Sequence, residues 1–535
     1  MTRTFFDFYI DRGGTFTDVF YRYEKDGEIQ EGVLKLLSED PANYDDAPRE
    51  AIKRVVSAFD NYQIRTIRMG TTVSTNALLE RKGARTAFLV TKGFKDLLEI
   101  AYQNRPKIFD LNIKKAKQVY EVVAELDERV YLSNELEDEF NEPSIKACLE
   151  ELKEKGIESL AVALMHSYRD ASHELRVKEL AEELGFKEIS LSSELVPMIK
   201  YVPRASTTVI DAYLAPIIKK YIENFKAGFD DGLKDTELLF MKSDGTLTDA
   251  EHFRGFNSIL SGPAGGVTAL RSIYKKAINH LRNSSDARLA NSENAQLTDV
   301  SMSSSKNEHN AADENFSHGL IGFDMGGTST DVSRFAGDLN LSYDSEIEGL
   351  LLQSPQLEIN TVAAGGGSRL FVENGLFRVG PESAGSHPGP VCYKKDGYLA
   401  VTDANLVLGR LDPDTFPKVF GPNADEALDY KASYQAFEKL KVDKKLDMSV
   451  EEIAEGFIKV ANETMARPIR EVSSAKGFDV KNHILVCFGG AAAQHACGIA
   501  KLLGIKKVII HKYSGILSAY GISMARQSEK RQKAF

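Results

Sequence analysis

The feature that most restricts what this chain can become is a repeated octet. Asp11-Arg12-Gly13-Gly14-Thr15-Phe16-Thr17-Asp18 returns as Asp324-Met325-Gly326-Gly327-Thr328-Ser329-Thr330-Asp331, an offset of 324 − 11 = 313 residues, with six of eight positions identical. Each copy follows an apolar run that reads as a strand. Paired glycines let backbone N–H groups approach an anion closely, and the hydroxyls of Thr15, Thr17, Thr328 and Thr330 add donors. Carboxylates repel phosphate, so the flanking aspartates suit Mg²⁺ held through water, or the orientation of an attacking group. A tight Gly-Gly hairpin turn would also explain the glycines. It would leave the shared Thr and Asp positions unexplained. Two such loops in one chain point to a duplicated fold whose halves clamp one nucleotide.

A chain of 535 residues exceeds what one core usually serves, so two or more domains are expected. Ile145, Cys148, Leu149 and Leu152 recur at helical spacing, the apolar run Ser159 to Met165 reads as a strand, and a helical stretch His173 to Leu184 stops at Gly185. This alternation predicts an α/β fold with largely parallel strands. Thr86 to Val90, Leu320 to Phe323, Ile484 to Phe488 and Val508 to Ile510 read as further strands. Asn279 to His318, rich in Ser, Asn, Asp and Glu, reads as a disordered insertion, and the last residues as a tail. The expected order is an amino-terminal lobe over 1–212, a connecting segment with an inter-lobe helix over 213–278, the insertion over 279–318, a second lobe over 319–525 and a tail over 526–535.

A net charge of −11 argues against nucleic-acid binding, which needs a concentrated basic face. No stretch is long and apolar enough to span a bilayer, and Met1 to Ile10 lacks a signal-peptide core, so a cytoplasmic protein is expected. Four cysteines are too few for a disulfide scaffold, and Cys487 and Cys497 read as small buried hydrophobes.

A third element, Cys487 to Ala496, runs from a strand through Gly489-Gly490 into an Ala-rich helix. Small residues there would let a flat ring or sugar lie against the backbone, or would serve close strand-to-helix packing. Gly262, Gly265 and Gly266 precede a helix, and Ser514-Gly515 and Ala519-Tyr520-Gly521 form a comparable stretch, so two helices are expected to cross closely there. Candidate substrate contacts are Thr71, Thr72 and Asn76, Arg204, Arg369 beside Gly365 to Gly367, and His387 in a Ser-His-Pro loop. Asp403 could cap a helix or complete a metal site, capping being the simpler role.

The two Asp-x-Gly-Gly-Thr-x-Thr-Asp loops and the Gly-Gly-Ala element resemble the phosphate-1, phosphate-2 and adenosine motifs of the actin, sugar-kinase and heat-shock-ATPase superfamily. Within it, Ile10 to Phe20, Leu34 to Tyr44, Met69 to Gly83, Leu164 to Tyr168, Gly322 to Arg334, Asn360 to Leu370 and Gly380 to Pro390 are similar to the hydantoinase A/oxoprolinase family, its eukaryotic 5-oxoprolinase branch above all. The resemblance implies two actin-like (ribonuclease H-like) lobes with an ATP cleft between them. It implies ATP and Mg²⁺ as cofactors, and ring opening of 5-oxo-L-proline to glutamate, ADP and phosphate in glutathione metabolism. Gly13, Gly14, Thr15, Thr17, Gly326, Gly327, Thr328 and Thr330 would then cradle phosphates and Gly489 and Gly490 would lie beside adenosine. Asp11, Asp324 and Asp331 would be the catalytic carboxylates, Asp11 and Asp324 near the metal. The family's eukaryotic members continue into a hydantoinase B-like half, so a B-type half or subunit is the implied partner, with neither nucleic acid nor membrane involved. Oligomeric state is left open, a homodimer included. A hydantoin-type hydrolase, a small-molecule kinase of the same fold, or a nucleotide-binding module without catalysis are the alternatives.

Overall fold

The computed structural model describes residues 3–104, 109, 111–132, 138–229, 233–292 and 319–529. Contacts group the chain into two compact units, each built from separated stretches. The first comprises Met1–Gly70, Gly262–Asn340 and Glu358–Ala525, and the second Thr71–Ser261, Leu341–Leu357 and Arg526–Phe535. This partition cuts across the sequence-ordered segments 1–212 and 319–525, and both copies of the octet fall in the first unit.

In the first unit, strands Thr4–Arg12, Phe16–Lys25 and Glu28–Leu37 form an antiparallel meander, with Tyr62–Thr71 beside the first of them. Alternation sets the faces: Phe6, Phe8 and Ile10 are fully buried. Asp26-Gly27 closes the second hairpin with both residues at positive φ (54° and 82°), a two-residue turn whose twist matches paired strands. The second sheet has the order Ile359–Val362, Thr330–Phe335, Leu320–Met325, Ile484–Phe488, Lys507–Ile510. Its first three strands are antiparallel and its last three parallel. The expectation of largely parallel strands therefore fails at the octets, because a Gly-Gly loop is too short for the crossover that parallel pairing needs. Ile321, Phe323 and Val332 pack with Ile453, Phe457 and Met465 of helix Val450–Val472. Ser449 and Glu452 cap that helix reciprocally.

Helix Ser261–Ser292 crosses helix Leu517–Ile522 at the expected glycines. A Cβ on Gly265 would lie 2.6 Å from the Ser518 carbonyl oxygen, and one on Gly521 would collide with the Gly265 carbonyl. Gly521→Ala is expected to destabilise the protein by about 1–3 kcal/mol through backbone displacement, read from the denaturant midpoint. The same helix corrects the insertion boundary. Residues 279–292 continue the helix, since Leu281, Ala287, Leu289 and Ala290 are good helix formers and the stretch has no Gly or Pro. The rest of that insertion, 293–318, lies outside the described residues.

The second unit carries a parallel sheet in the order Glu188–Leu191, Ser159–Ala163, Thr86–Thr91, Val122–Leu126. Its core includes Ile145, Leu149 and Leu152 of helix Glu142–Glu154 and Val177 and Leu180 of helix Ser172–Glu183. The start of the expected tail is held here: Leu247 N donates to Arg526 O (2.9 Å) and Ser528 N to Leu247 O (3.2 Å). Residues 530–535 lie outside the described residues. Among those described, no helix is long and apolar enough to cross a membrane.

Candidate active site

Each octet is a β-hairpin turn, and the two are in the same register. Asp11 pairs with Asp18 and Arg12 with Thr17 across the first, and Asp324 pairs with Asp331 and Met325 with Thr330 across the second. The hairpin explanation of the glycines is thus right as geometry, and it also places the shared aspartates at the mouth of each turn. Gly13 N donates to Phe16 O, and Gly326 N to Ser329 O, both at 3.0 Å. The turns meet. A Cβ on Gly14 would sit 3.3 Å from Thr328 Oγ1, and one on Gly327 would collide with Thr15.

Neighbouring segments hold both turns in shape. Ser38 Oγ donates to Gly13 O (2.7 Å) and lies 3.1 Å from Thr17 Oγ1. Thr330 Oγ1 donates to Ala364 O (2.5 Å). The glycine run beyond it buttresses the second turn, Gly366 N donating to Gly326 O (3.0 Å) and Gly367 N to Gly327 O (2.6 Å). A Cβ on Gly365 would stand 2.7 Å from the Gly327 carbonyl, so close approach requires glycine there.

Four partly accessible carboxylates gather at these turns, and burial raises the proton affinity of all four, with like charge adding to it at Asp11 and Asp324. Burial pushes Asp11 up to about 7, assisted by the charges of Asp18 and Asp331 and opposed by Lys35. Asp331 is pushed up to about 6 by burial, with Thr361 Oγ1 donating to it at 2.5 Å. Asp324 is raised well above the usual carboxylate range by burial and then by Asp331 and Asp11, while Ser518 Oγ donates to it at 3.1 Å. Asp18 is raised by burial and restrained by its salt bridge to Lys35. Buried Asp11 Oδ1 and Thr15 Oγ1 have no hydrogen-bond partner. Orphaned acceptor and hydroxyl groups beside acidic side chains fit a hydrated cation and a phosphate oxygen. Among the described residues no three His, Cys, Asp or Glu side chains form a metal cage.

A family profile described as "Hydantoinase/oxoprolinase N-terminal region" matches residues 7–185, and one described as "Hydantoinase/oxoprolinase" matches 204–281 and 308–531. The chain belongs to the hydantoinase/oxoprolinase family. It is 49% identical to a 5-oxoprolinase of Dictyostelium discoideum over 97% of its length and 42% of the relative's. With 5-oxoprolinase 1 of Arabidopsis thaliana the figures are 49%, 99% and 42%. The chain thus spans about two-fifths of the length of these relatives. Among solved structures, nucleotide-free acetone carboxylase aligns with TM-score 0.73 at 22% identity, covering 97% of this chain and 70% of that one. ATP-dependent caprolactamase of Pseudomonas jessenii aligns with TM-score 0.71 at 28% identity, covering 96% and 70%. Both likenesses agree with the α/β architecture.

The remaining sequence candidates of this family member divide. A Cβ on Gly489, at φ 87°, would collide with Asp324 Oδ1, and one on Gly490 would lie 3.9 Å from Lys35 Nζ, so the third element lies close to the turns. Arg369 is stacked over the Tyr398 ring at 3.9 Å, and His387 is exposed in its loop. Thr71, Thr72 and Asn76 belong to the second unit, around the start of helix Val73–Leu79, where buried Thr71 Oγ1 accepts from Val73 N. Arg204 is 1% exposed. Its guanidinium donates to Ser167, Ser192 and the Leu164 carbonyl and lies 3.8 Å from Glu174, so its charge is used inside the second unit's core rather than offered to a substrate. Asp403 is a cap and a tie, accepting from Ala400 N, Cys392 N and Ser433 Oγ. Cys487 is buried as expected, whereas Cys497 is exposed.

Sequence reading missed Lys35, Ser38, Thr361 and Ser518. The signal for Lys35 was present: an Asp26-Gly27 turn closing Lys25 against Glu28 sets partners whose numbers sum to 53, which pairs Asp18 with Lys35.

Proposed function

We propose that this chain is the ATP-using half of a 5-oxoprolinase, transferring the γ-phosphoryl group to the carbonyl oxygen of 5-oxo-L-proline so that water opens the ring to L-glutamate. A lactam carbonyl resists water because its nitrogen lone pair is delocalised. Phosphorylating the oxygen removes that protection and supplies a leaving group. The observation that carries the reading is the pair of facing turns in identical register, with Gly-Gly-Thr backbones and unpartnered Asp11 Oδ1 and Thr15 Oγ1 beside four carboxylates. The names of the relatives support 5-oxo-L-proline as the substrate, and their greater length supports a hydantoinase B-like half as partner.

In this reading each hairpin with its sheet is one half of an actin-like ATPase. Gly13, Gly14, Thr15, Gly326, Gly327 and Thr328 bind phosphates, with Thr17 and Thr330 fixing the turns, and Gly489 and Gly490 flank the adenosine. Asp11 and Asp324 would hold Mg²⁺, which supplies charge neutralisation when bound. Asp331, kept neutral more readily than an ordinary carboxyl, orients the acceptor. The protein is read as cytoplasmic.

The test is phosphate release from Mg-ATP by the chain with and without a B-type half, adding 5-oxo-L-proline, hydantoin, caprolactam or acetone. Stimulation by 5-oxo-L-proline alone is the expected result. Stimulation by hydantoin instead, or phosphoryl transfer to a stable product, would replace this reading with one of the alternatives.

A further inference from the structure

Four carboxylates at one pair of turns repel a polyphosphate, and a single divalent ion offsets only part of that charge. Lys35 Nζ is salt-bridged to Asp18, its side chain 15% exposed against 16% for Asp18, and stands 4.8 Å from the Phe16 ring centroid. A Cβ built on Gly490 would lie 3.9 Å from the same nitrogen. The ammonium is therefore held between the closing aspartate of the first turn and the Gly489-Gly490 turn. Arg12, the basic residue within the octet, is directed instead to Asp46 at 3.9 Å. An ammonium has three N–H donors. Asp18 occupies the direction of one, leaving donors for a second anion.

We propose that Lys35 is a phosphate ligand of this site, anchored by Asp18 and donating to a non-bridging oxygen of the nucleotide's polyphosphate. Asp18 is then a positioning residue: it fixes where the ammonium sits and does not itself meet phosphate. The directly opposed pairing of Asp18 and Lys35 on adjacent strands makes that placement a property of the sheet rather than of a mobile loop. Lysine suits the task as a compact charge that can serve two acceptors at once. The inference rests on the nucleotide reading above.

The experiment is calorimetric titration of ATP, ADP and adenosine, without acceptor substrate, into the wild-type chain, Lys35→Met, Lys35→Arg and the double variant Lys35→Met/Asp18→Asn. The double variant removes both members of the pair, so neither charge is left alone and folding is protected. Loss of a charge-assisted contact should weaken ATP and ADP about 10- to 100-fold in Lys35→Met and in the double variant, leave adenosine within about twofold, and be partly restored in Lys35→Arg. Equal weakening of all three ligands, or none, would overturn the assignment and leave Lys35 a structural partner of Asp18. If the wild-type chain binds adenosine and ATP equally, the polyphosphate site itself is misplaced and this inference falls with it.

Discussion

Asp324→Asn is expected to lower substrate-stimulated phosphate release by a factor of about 1,000 or more, while making the ligand-free protein more stable at neutral pH. The two effects share one cause. Asp324 lies among Asp331, Asp11 and Asp18, so its ionised form is opposed by burial and by like charge until a cation is bound. The cluster's proton affinities belong to the group of carboxylates as a whole. An ordinary aspartate in the unfolded chain titrates near pH 4, whereas Asp331 and Asp11 are pushed up to about 6 and about 7. Between those limits the folded protein binds more protons than the unfolded one, so the cluster's contribution to stability is full below about pH 4 and is lost as pH rises through 6 and 7. Removing one charge flattens this loss. Asn at 324 should therefore gain about 1–3 kcal/mol at pH 7.5 and much less at pH 4.5, as measured by thermal unfolding at both pH values. Equal stabilisation at both would show that packing, not charge, is responsible, and unimpaired turnover would remove Asp324 from the machinery. Wild-type protein should release protons when Mg-ATP binds, visible as a buffer-dependent heat.

The geometry of the paired turns was legible because it is set locally. An octet repeated at full length carries its own register: two glycines force a tight turn, and a tight turn brings the first and last aspartates opposite each other. The strands Ser159–Ala163 and Ile484–Phe488 were legible as short apolar runs for the same local reason. What was hidden came from distance along the chain. Ser518 and Thr361 reach Asp324 and Asp331 from other segments, and neither type of residue stands out in a sequence. Arg204 misled in the opposite sense. A lone arginine in a helix reads as available, yet its role is set by Glu174, Ser167 and Ser192, which the parallel sheet brings to it. Polarity also misled at 279–292, where composition indicates that no core is buried and says little about whether a helix continues.

Gly489→Ala is expected to reduce activity about 100-fold by moving a carboxylate it does not chemically resemble. Two costs combine at this position. The backbone is at φ 87°, where an L side chain is strained. The added Cβ would also collide with Asp324 Oδ1 and stand 2.5 Å from the Met325 carbonyl oxygen. Strain alone lowers stability by about 1–2 kcal/mol without touching chemistry. The collision is what disturbs function, because Asp324 cannot retreat without breaking its contact with Ser518, and Gly489 is itself tied by its N–H to Ser514 O at 2.8 Å. Displacement of a catalytic group by about 1 Å costs about 100-fold in rate. Gly337→Ala separates the two costs, since Gly337 has φ 112° with nothing within 4 Å of a built Cβ. That variant should lose comparable stability and keep its turnover. If both variants lose activity in proportion to their stability, the proximity of Gly489 to Asp324 has no functional consequence. If only Gly489→Ala loses activity while remaining folded, the third element fixes the position of the second turn's leading carboxylate.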